Sequence, residues 1–337
     1  LFSCPLAQFT SIFGMVITEI MLYNNLSNYI IFYRPCFKSG GFMSRVKLRA
    51  PGKINWTLDV ISRRRDGYHE VEMLMQSISL FDDIIITECD EGIKITGNSA
   101  DMPLDESNLA AKAARLIMDN FGITTGVCID IKKSIPAQAG LAGGSTKAAA
   151  VLVGLNDMWK LGLSIARLAE LGTALGADVP FCILGGTAVA RGIGEKLTPL
   201  PALEGIPLVL VKPSFGVSTK KVYNELVLEK IGLHPDWKKA YDLLAEGNLH
   251  LLRYSMGNVL ELVTGSLFPE INEIKADLYK AGAAFSMMTG SGSTVFGVFE
   301  TEADAQQAVN KLKTNYSQVF YVSTHGRGVE ITEGGSL

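Results

Sequence analysis

Alternation of apolar and polar residues predicts strands in the first part of the chain. Residues 46–61 (VKLRAPGKINWTLDVI) alternate over most of their length, which is typical of a strand. Residues 73–87 (MLMQSISLFDDIIIT) contain two further strand-like runs, and residues 126–136 alternate with Val127, Ile129 and Ile131 on one side. We therefore expect several short strands before the first long helices.

Helical spacing of apolar residues occurs in three segments that follow. The first covers residues 107–122 and stops at Gly122; the second begins in a glycine-rich segment, with Ser145 as its N-cap; the third ends at Gly176. The predicted apolar faces consist of Leu109, Ala113, Leu116 and Ile117 in the first helix and of Ala148, Val151, Leu152, Leu155 and Trp159 in the second.

The second half alternates strands with helices. Prolines crowd residues 199–207, where we place a domain boundary. The predicted elements are a hairpin at 185–200, a strand at 207–213, helices from about 218 to 279, a strand at 285–299, a helix begun by the capping box of Thr301 and Asp304, a strand at 318–326 and a frayed tail at 332–337. This pattern predicts a mixed α/β (α+β) fold with two domains, residues 43–204 and 205–330.

Residues 1–42 differ from the rest of the chain and are predicted to be a non-native or disordered extension. Glu19 and a run of asparagines interrupt their apolar character, whereas a membrane span needs about 20 continuous apolar residues. They also have neither the basic start nor the cleavage site of a signal peptide. Our hypothesis is that Met43 is the true start, because Gly40-Gly41 could encode a ribosome-binding sequence; a cleaved transit peptide is the weaker alternative.

Composition narrows the possible functions. The 337 residues are 47% hydrophobic and 19% charged, with a formal net charge of −3, so the chain has no basic field for nucleic acid and any phosphate site must be local. Its five cysteines, Cys4, Cys36, Cys89, Cys128 and Cys182, are odd in number and widely spaced, and no C-x-x-C pair suggests a zinc site or a redox couple. We expect a protein of the reducing cytoplasm, with no membrane or nucleic-acid partner and no protein-held metal.

The glycine-rich segment is the first candidate for chemistry. Residues 135–156 (IPAQAGLAGGSTKAAAVLVGLN) match neither the P-loop pattern nor G-x-G-x-x-G. Glycines and a free helix N-terminus can nevertheless surround a triphosphate, and spacing alone leaves this interpretation equal to that of a tight structural turn. Lys147 favours the phosphate interpretation, because a cation in the first helical turn opposes the helix dipole unless an anion lies beside it.

Three segments together resemble the motifs of the GHMP kinase superfamily. They are residues 50–74 (APGKINWTLDVISRRRDGYHEVEML), residues 135–156 followed by 175–181 (LGADVPF), and residues 288–299 (MTGSGSTVFGVF). The resemblance runs from about Arg45 to Gly326 in the same order. P-x-K-I-N, D-G-Y-H-E and G-A-D-V-P are similar to the members that phosphorylate the 2-hydroxyl of a cytidine diphosphate-linked methylerythritol, in bacterial isoprenoid precursor synthesis.

The resemblance implies a two-domain fold with the active site in the interdomain cleft, ATP as phosphate donor, and Mg²⁺ held mainly by phosphates and water. It assigns Asp178 as the carboxylate that accepts the hydroxyl proton and Lys53 as its neighbour. The alternatives are that Asp178 only caps the turn before Pro180 and that Lys53 is a solvated strand residue.

The remaining site residues are also implied by the resemblance. Those expected at the nucleotide are Pro136, Ala139, Gly140, Leu141, Ala142, Gly143, Gly144, Ser145, Thr146 and Asn108, although Asn108 is equally explained as a helix N-cap. Those expected at the substrate are Asn55, Tyr68, His69, Tyr223, Gly290, Ser291 and Gly292. Residues 63–70 would otherwise be a polar hairpin turn, and core packing explains Tyr223 equally well.

The sequence departs from the family pattern at Lys147, Ala142 and Ser293. None of these changes touches Lys53 or Asp178, but Ala142 excludes backbone angles that glycine would allow, which makes the grip on phosphate uncertain. The rival functions are another kinase of this superfamily, acting on homoserine, mevalonate or a sugar, and a catalytically silent nucleotide-binding regulator. The D-G-Y-H segment argues against the first, and the presence of both Lys53 and Asp178 argues against the second.

Overall fold

The computed structural model describes residues 44–99 and 102–334. The predicted N-terminal extension and the hypothesis of a start at Met43 lie outside these described residues. The described residues form one compact unit, and the division into two domains between residues 204 and 205 remains a prediction. Within this unit the chain builds one sheet mainly from its first half and a second sheet from its second half.

The described strands are β1 (Arg45–Arg63), β2 (His69–Cys89), β3 (Ile93–Gly97), β4 (Gly126–Lys132), β5 (Thr187–Arg191), β6 (Lys196–Leu200), β7 (Pro207–Lys212), β8 (Gly257–Asn258), β9 (Phe285–Met288), β10 (Val295–Val298), β11 (Gln318–Ser323) and β12 (Glu330–Glu333). The described α-helices are α1 (Leu109–Phe121), α2 (Gly143–Met158), α3 (Ile165–Thr173), α4 (Val179–Leu184), α5 (Thr219–Glu225), α6 (Trp237–Ala245), α7 (Glu261–Leu267), α8 (Glu270–Lys280) and α9 (Glu302–Leu312). Short 3-10 turns occupy Leu228–Lys230 and Leu249–Tyr254.

The first sheet is organised around the long antiparallel pair β1 and β2. Its main order is β12-β1-β2-β4-β3, with β5 and β6 added beyond β2 and β8 beside β1. The prediction of two strands in residues 73–87 is wrong, because these residues belong to the single strand β2. Its polar residue Gln76 does not interrupt the strand: it is fully buried, accepts a hydrogen bond from Thr187 and donates one to the carbonyl of His325. The predicted hairpin at residues 185–200 is confirmed as β5 and β6.

Strand β1 bends at three irregularities in its pairing with β2. The register shifts between Pro51 and Gly52, between Asn55 and Thr57, and between Val60 and Ser62. Such bulges re-aim side chains and release backbone groups from the ladder, and they are common beside active sites. Here two of the shifts bracket the segment that carries Lys53 and Asn55.

The second sheet is antiparallel, with the order β11-β7-β10-β9. The single strand predicted at residues 285–299 is a hairpin, because residues 289–294 form the turn between β9 and β10. The two sheets share a hydrophobic core in which Trp56 of the first packs edge-on against Phe296 of the second, with ring centroids 5.6 Å apart. This core holds the second-sheet hairpin beside the middle of β1.

The tail prediction fails at two residues. Thr332 and Glu333 belong to β12, which pairs with β1 through contacts such as Leu48 with Ile331. Backbone pairing with an existing sheet edge explains why this polar segment forms a strand.

The helices agree largely with their predicted positions. The predicted stop of α1 is confirmed, with Gly122 in the left-handed conformation, and Thr301 caps α9 by accepting a bond from the Asp304 backbone. Helix α3 ends at Thr173 and not at Gly176, because tight hydrogen bonds such as Leu175 N–H to the Gly172 carbonyl close its last turn early.

Helix α2 differs from its prediction at its start. It begins at Gly143, and Ala142 occupies the cap position with φ 58° and makes no side-chain cap bond. The prediction of Ser145 as N-cap is therefore wrong. A hydrogen bond of 2.9 Å from Thr146 N–H to the Ala142 carbonyl already closes the first turn, so Ser145 lies inside the helix.

Candidate active site

A cavity of about 1020 Å³ lies between the first sheet with its helices and the turn of the β9–β10 hairpin. A volume of this size is sufficient for a nucleotide and a second small molecule. The predicted site residues that line it are Lys53, Tyr68, His69, Asn108, Pro136, Ala139, Gly140, Leu141, Ala142, Gly143, Gly144, Ser145, Asp178, Tyr223, Gly290 and Ser291. The arrangement thus brings residues far apart in sequence to one surface.

Three predicted site residues do not line the cavity. Thr146 is fully buried and donates its hydroxyl to the Pro51 carbonyl, which ties helix α2 to the first bulge of β1. Asn55 is also fully buried, one layer behind the cavity wall. Gly292 lies behind Ser291, where a Cβ would come within 2.7 Å of the Met288 sulfur.

The start of helix α2 forms one wall of the cavity. Gly143, Gly144 and Ser145 line it, and the first helical turn has no side-chain cap. The first N–H groups of a helix have no partner within the helix and carry a partial positive charge. Ala142 adopts the left-handed conformation that the sequence argument reserved for glycine, so it bends the chain into the helix without glycine at that position.

The glycine segment packs against the turn that follows β9. A Cβ at Gly140 would lie 2.2 Å from the carbonyl oxygen of Thr289, a distance that real atoms do not reach. Gly140 also has φ 74°, which disfavours any other residue. Gly290 also lies against the Gly140 backbone: a Cβ added at residue 290 would be 3.2 Å from the Gly140 carbonyl oxygen. Glycine at residue 140 therefore allows two backbone turns to meet at the cavity.

Lys53 and Asp178 meet at the floor of the cavity. The Lys53 ammonium nitrogen lies 3.7 Å from a carboxylate oxygen of Asp178 and donates a 2.9 Å hydrogen bond to the Asn55 side-chain oxygen. Lys53 is 5% exposed, so it is not the solvated strand residue of the alternative interpretation. Asp178 precedes α4 but makes no side-chain cap bond, which leaves its carboxylate available to a ligand.

Aromatic residues lie at the end of the cavity formed by the β1–β2 turn. Tyr68 is 61% exposed beside the opening, and the His69 ring lies 5.3 Å from the Tyr223 ring, tilted by 35°. Burial, and then the nearby charge of Arg63, lower the pKa of His69 from its ordinary value, so its imidazole is neutral near pH 7. Burial and the charge of Asp178 raise the pKa of Tyr223, which keeps its hydroxyl protonated.

Asn108 lies at the opposite end of the cavity. Its side-chain oxygen accepts the Ala110 N–H at 3.0 Å, and its side-chain nitrogen donates to the Pro103 carbonyl at 2.7 Å. The N-cap interpretation of Asn108 is therefore confirmed. Met102, Pro103 and Leu109 line the cavity beside it and give this end an apolar surface.

Lys147 lies in the first turns of α2 and lines the cavity, yet it is only 6% exposed. Burial lowers its pKa, while the charge of Asp82 acts in the opposite direction. Asp82 is fully buried, and this burial raises its pKa. Hydrogen bonds from the backbone of Ile135 and Ser134 act in the opposite direction and offset part of this rise. The cation in the first turns of α2 led us to expect an anion nearby, and the carboxylate of Asp82 supplies part of that negative charge from within the protein.

Sequence reasoning missed several residues of the cavity wall. Thr219, Lys220 and Asn224 reach it from the face of α5 that also carries Tyr223, and the Thr219 hydroxyl lies 2.8 Å from that of Ser291. The signal in the sequence was spacing, since residues three and four apart share a helix face: Thr219 and Lys220 lie four and three residues before Tyr223, and Asn224 lies four after Lys220. Lys133 precedes the glycine segment and Gln138 lies within it, and neither carried a separate signal.

Comparison with known sequences gives a consistent result. Residues 108–186 match the GHMP kinases N terminal domain, and residues 240–318 match the GHMP kinases C terminal domain. A protein of Alkaliphilus metalliredigens named 4-diphosphocytidyl-2-C-methyl-D-erythritol kinase is 47% identical over 286 residues, which cover 85% of this chain and 98% of the relative. A protein of the same name from Clostridioides difficile is 47% identical over 294 residues, covering 86% and 98%.

Solved structures agree in fold. A crystal structure of 4-(cytidine 5'-diphospho)-2C-methyl-D-erythritol kinase is similar with a TM-score of 0.73 and 34% identity, over 83% of this chain and 99% of that one. Homoserine kinase from Cytophaga hutchinsonii has a TM-score of 0.65 at 19% identity, over 88% and 99%, which supports the fold alone. In residues 44–99 and 102–334, no helix has the length and apolar character to cross a bilayer. The chain belongs to the GHMP kinases and, among them, to the 4-diphosphocytidyl-2-C-methyl-D-erythritol kinase family.

Proposed function

We propose that this chain transfers the γ-phosphoryl group of ATP to the 2-hydroxyl of 4-diphosphocytidyl-2-C-methyl-D-erythritol, a step in non-mevalonate isoprenoid precursor synthesis. The name shared by relatives at 47% identity supports the substrate, and the family membership supports ATP as donor. The observation that most directly supports phosphoryl transfer is the position of Lys53 and Asp178. Both lie at the floor of the cavity, beside the start of α2, which has no side-chain cap.

The proposed reaction uses the Asp178 carboxylate as the base. Asp178 accepts the proton of the substrate hydroxyl as its oxygen attacks the γ-phosphorus; the bond to the bridging oxygen breaks and ADP leaves with that electron pair. The Lys53 ammonium group keeps positive charge beside the carboxylate and the transferred phosphoryl group. Phosphoryl transfer depends mainly on positioning and charge, and buried groups such as Lys53 are well suited to supply both.

We propose that the nucleotide binds along the glycine segment. Gly140, Gly143, Gly144 and Ser145 allow phosphates to approach the backbone, and the first turn of α2 supplies N–H donors. We propose that adenine binds on the apolar surface beside Asn108, at the far end of the cavity. Because Asn108 already uses both side-chain groups within the protein, we propose that it shapes this end and that contact with the base is made by its neighbours.

Mg²⁺ fits this cavity as a partner of the phosphates. Within the described residues no group of three or more His, Cys, Asp or Glu side chains is arranged to hold a metal ion. We propose that phosphate and water oxygens supply most of the ligands of Mg²⁺, as is usual for this ion beside phosphates. The Ser145 hydroxyl lines the cavity at the start of α2 and would be one oxygen donor to the ion. The ion would neutralise phosphate charge during transfer.

We propose that the cytidine binds at the end of the cavity formed by the β1–β2 turn, where the aromatic residues lie. Tyr68 offers an exposed ring for stacking, Tyr223 closes the opposite side, and the neutral imidazole of His69 can hydrogen-bond the base edge. Asn55 is buried behind Lys53, so we propose that it orients the lysine and does not contact the substrate.

The test of the function is a reaction with ATP, Mg²⁺ and a panel of acceptors, followed by mass spectrometry and phosphorus NMR. We expect one added phosphate on the 2-oxygen of the cytidylated methylerythritol, and none on mevalonate, homoserine or a free sugar. Phosphorylation of one of those acceptors instead would support another kinase activity. Binding of ATP without turnover of any acceptor would contradict the proposed function.

A further inference from the structure

Thr289 connects the second sheet to the two residues at the floor of the cavity. Its hydroxyl oxygen accepts the backbone N–H of Asn55 at 3.0 Å. The Asn55 side-chain oxygen in turn accepts the hydrogen bond from the Lys53 ammonium group at 2.9 Å. A continuous path of contacts therefore leads from the β9–β10 turn to Lys53 and on to Asp178, 3.7 Å away.

The need for this contact arises from the bulge in β1. The register with β2 shifts between Asn55 and Thr57, so the Asn55 N–H bonds the Thr289 hydroxyl where a regular strand would use its ladder. Asn55 and Thr289 are both fully buried. Removal of the hydroxyl would take away the acceptor of the Asn55 N–H, and a buried N–H without an acceptor is costly.

Thr289 itself is held from both sides. The Asn258 side-chain nitrogen donates to the carbonyls of the two flanking residues, Met288 at 2.9 Å and Gly290 at 2.7 Å. Its side-chain oxygen accepts the Leu260 N–H at 3.0 Å, so each polar group of Asn258 is engaged. The Thr289 hydroxyl is therefore a fixed point and not a freely moving side chain.

We propose that Thr289 is a positioning residue for phosphoryl transfer: its hydroxyl fixes Asn55, and Asn55 fixes the Lys53 ammonium group beside Asp178. The kinetic part of this proposal rests on the proposed function. Thr289 does not line the cavity, so its effect passes through Asn55 and Lys53 and falls on turnover more than on substrate binding.

The chain offers a matched control in the same turn. Thr294 is fully buried like Thr289, but its hydroxyl has no hydrogen-bond partner within the described part of the chain. Thr289→Val and Thr294→Val thus make the same chemical change at two neighbouring buried positions. Comparison of Thr289→Ser with Thr289→Ala separates the effect of the hydroxyl from that of the methyl group. Both variants lose the methyl group, and only Thr289→Ser keeps the hydroxyl oxygen.

The experiment measures kcat, KM for both substrates and thermal unfolding for these four variants. We expect Thr289→Val and Thr289→Ala to lower kcat by about tenfold while each KM changes less than about twofold. Thr289→Ser and Thr294→Val should retain kcat within about twofold of the unaltered protein. Equal losses in the two valine variants, or a serine variant as slow as the alanine variant, would overturn the proposal.

A crystal structure of Thr289→Val, or of Thr289→Ala if valine prevents folding, gives a readout that does not depend on turnover. We expect the Lys53–Asn55 hydrogen bond to be lost or Lys53 to move away from Asp178. If both contacts remain at their present distances, the proposal is wrong even where the kinase activity is established. If the unaltered protein phosphorylates no acceptor, the proposed function fails, and the crystal structure still decides the role of Thr289.

Discussion

The ammonium nitrogen of Lys53 lies 3.7 Å from the carboxylate of Asp178, although Lys53 lies in β1 and Asp178 directly precedes α4, far along the chain. This pairing leads to the first prediction. Asp178→Asn keeps the shape of the side chain but removes the base, and we expect kcat to fall by about 100- to 10,000-fold. The dissociation constant for ATP, measured by calorimetry, should change by less than about twofold. Unchanged turnover would exclude Asp178 as the base.

Tyr68 should act on substrate binding and not on folding. Its ring is 61% exposed, so Tyr68→Ala should leave the free energy of unfolding within about 0.5 kcal/mol of the unaltered protein. Loss of one stacking surface for the base should raise KM for the cytidylated substrate about tenfold. Tyr68→Phe keeps the ring and serves as the control, for which we expect a KM within about twofold of the original value. An equal rise in both variants would point to the hydroxyl group instead.

Residues 140 and 142 should respond in opposite directions to exchange between glycine and alanine. Ala142 has φ 58°, so Ala142→Gly relieves backbone strain and should raise the free energy of unfolding by about 0.5–1 kcal/mol, after the entropy cost of glycine. Gly140→Ala places a Cβ 2.2 Å from the Thr289 carbonyl and should lower stability by at least about 2 kcal/mol. Urea unfolding measures both changes. A stable and active Gly140→Ala protein would show that the two turns are not packed as described.

His69 should make the folded state less stable in mild acid. Its folded-state pKa lies below the ordinary value of 6.5, because burial and Arg63 disfavour the charged ring. The unfolded chain therefore binds the proton first as the pH falls below about 6.5, and stability is lost until the pH passes the folded-state pKa. Urea unfolding between about pH 7.5 and pH 5 should show a steeper loss in the unaltered protein than in His69→Gln. Parallel curves would contradict the assignment.

Lys147 and Asp82 should depend on each other for stability. Lys147→Met leaves the buried Asp82 carboxylate with less opposing charge, and Asp82→Asn has the reverse effect on Lys147. We expect each variant to lower the free energy of unfolding by about 1 to 2 kcal/mol, because the two charges act on each other without a direct ion pair. The double variant should be more stable than the sum of the two losses predicts, by at least about 1 kcal/mol in a double-mutant cycle. Additive losses would show that the two charges do not interact.

Much of the fold was predictable because single elements follow local rules. Alternation located β4, and the helix stop at Gly122 was readable since glycine favours the left-handed conformation. The motifs also led to Lys53 and Asp178, which line the same cavity. These features depend on patterns of a few neighbouring residues.

The features that escaped prediction depend on contacts between distant segments. No local pattern shows that the Asn55 N–H leaves its ladder for Thr289, because the acceptor lies far along the chain. The left-handed conformation of Ala142 was missed for a related reason: packing of the glycine segment against the second hairpin outweighs a local cost of about 1–2 kcal/mol. Likewise, the charge beside Lys147 comes from Asp82 in another element.

The strand β12 also has a consequence for how the protein is made. Strand β1 leaves the ribosome early, whereas its edge partners β8 and β12 begin only at Gly257 and Glu330. Until those segments are made, residues 47–49 and 57–58 of β1 have no strand partner on that side. Completion of this edge is therefore expected to be a late step of folding, after the neighbouring strands of the sheet have formed.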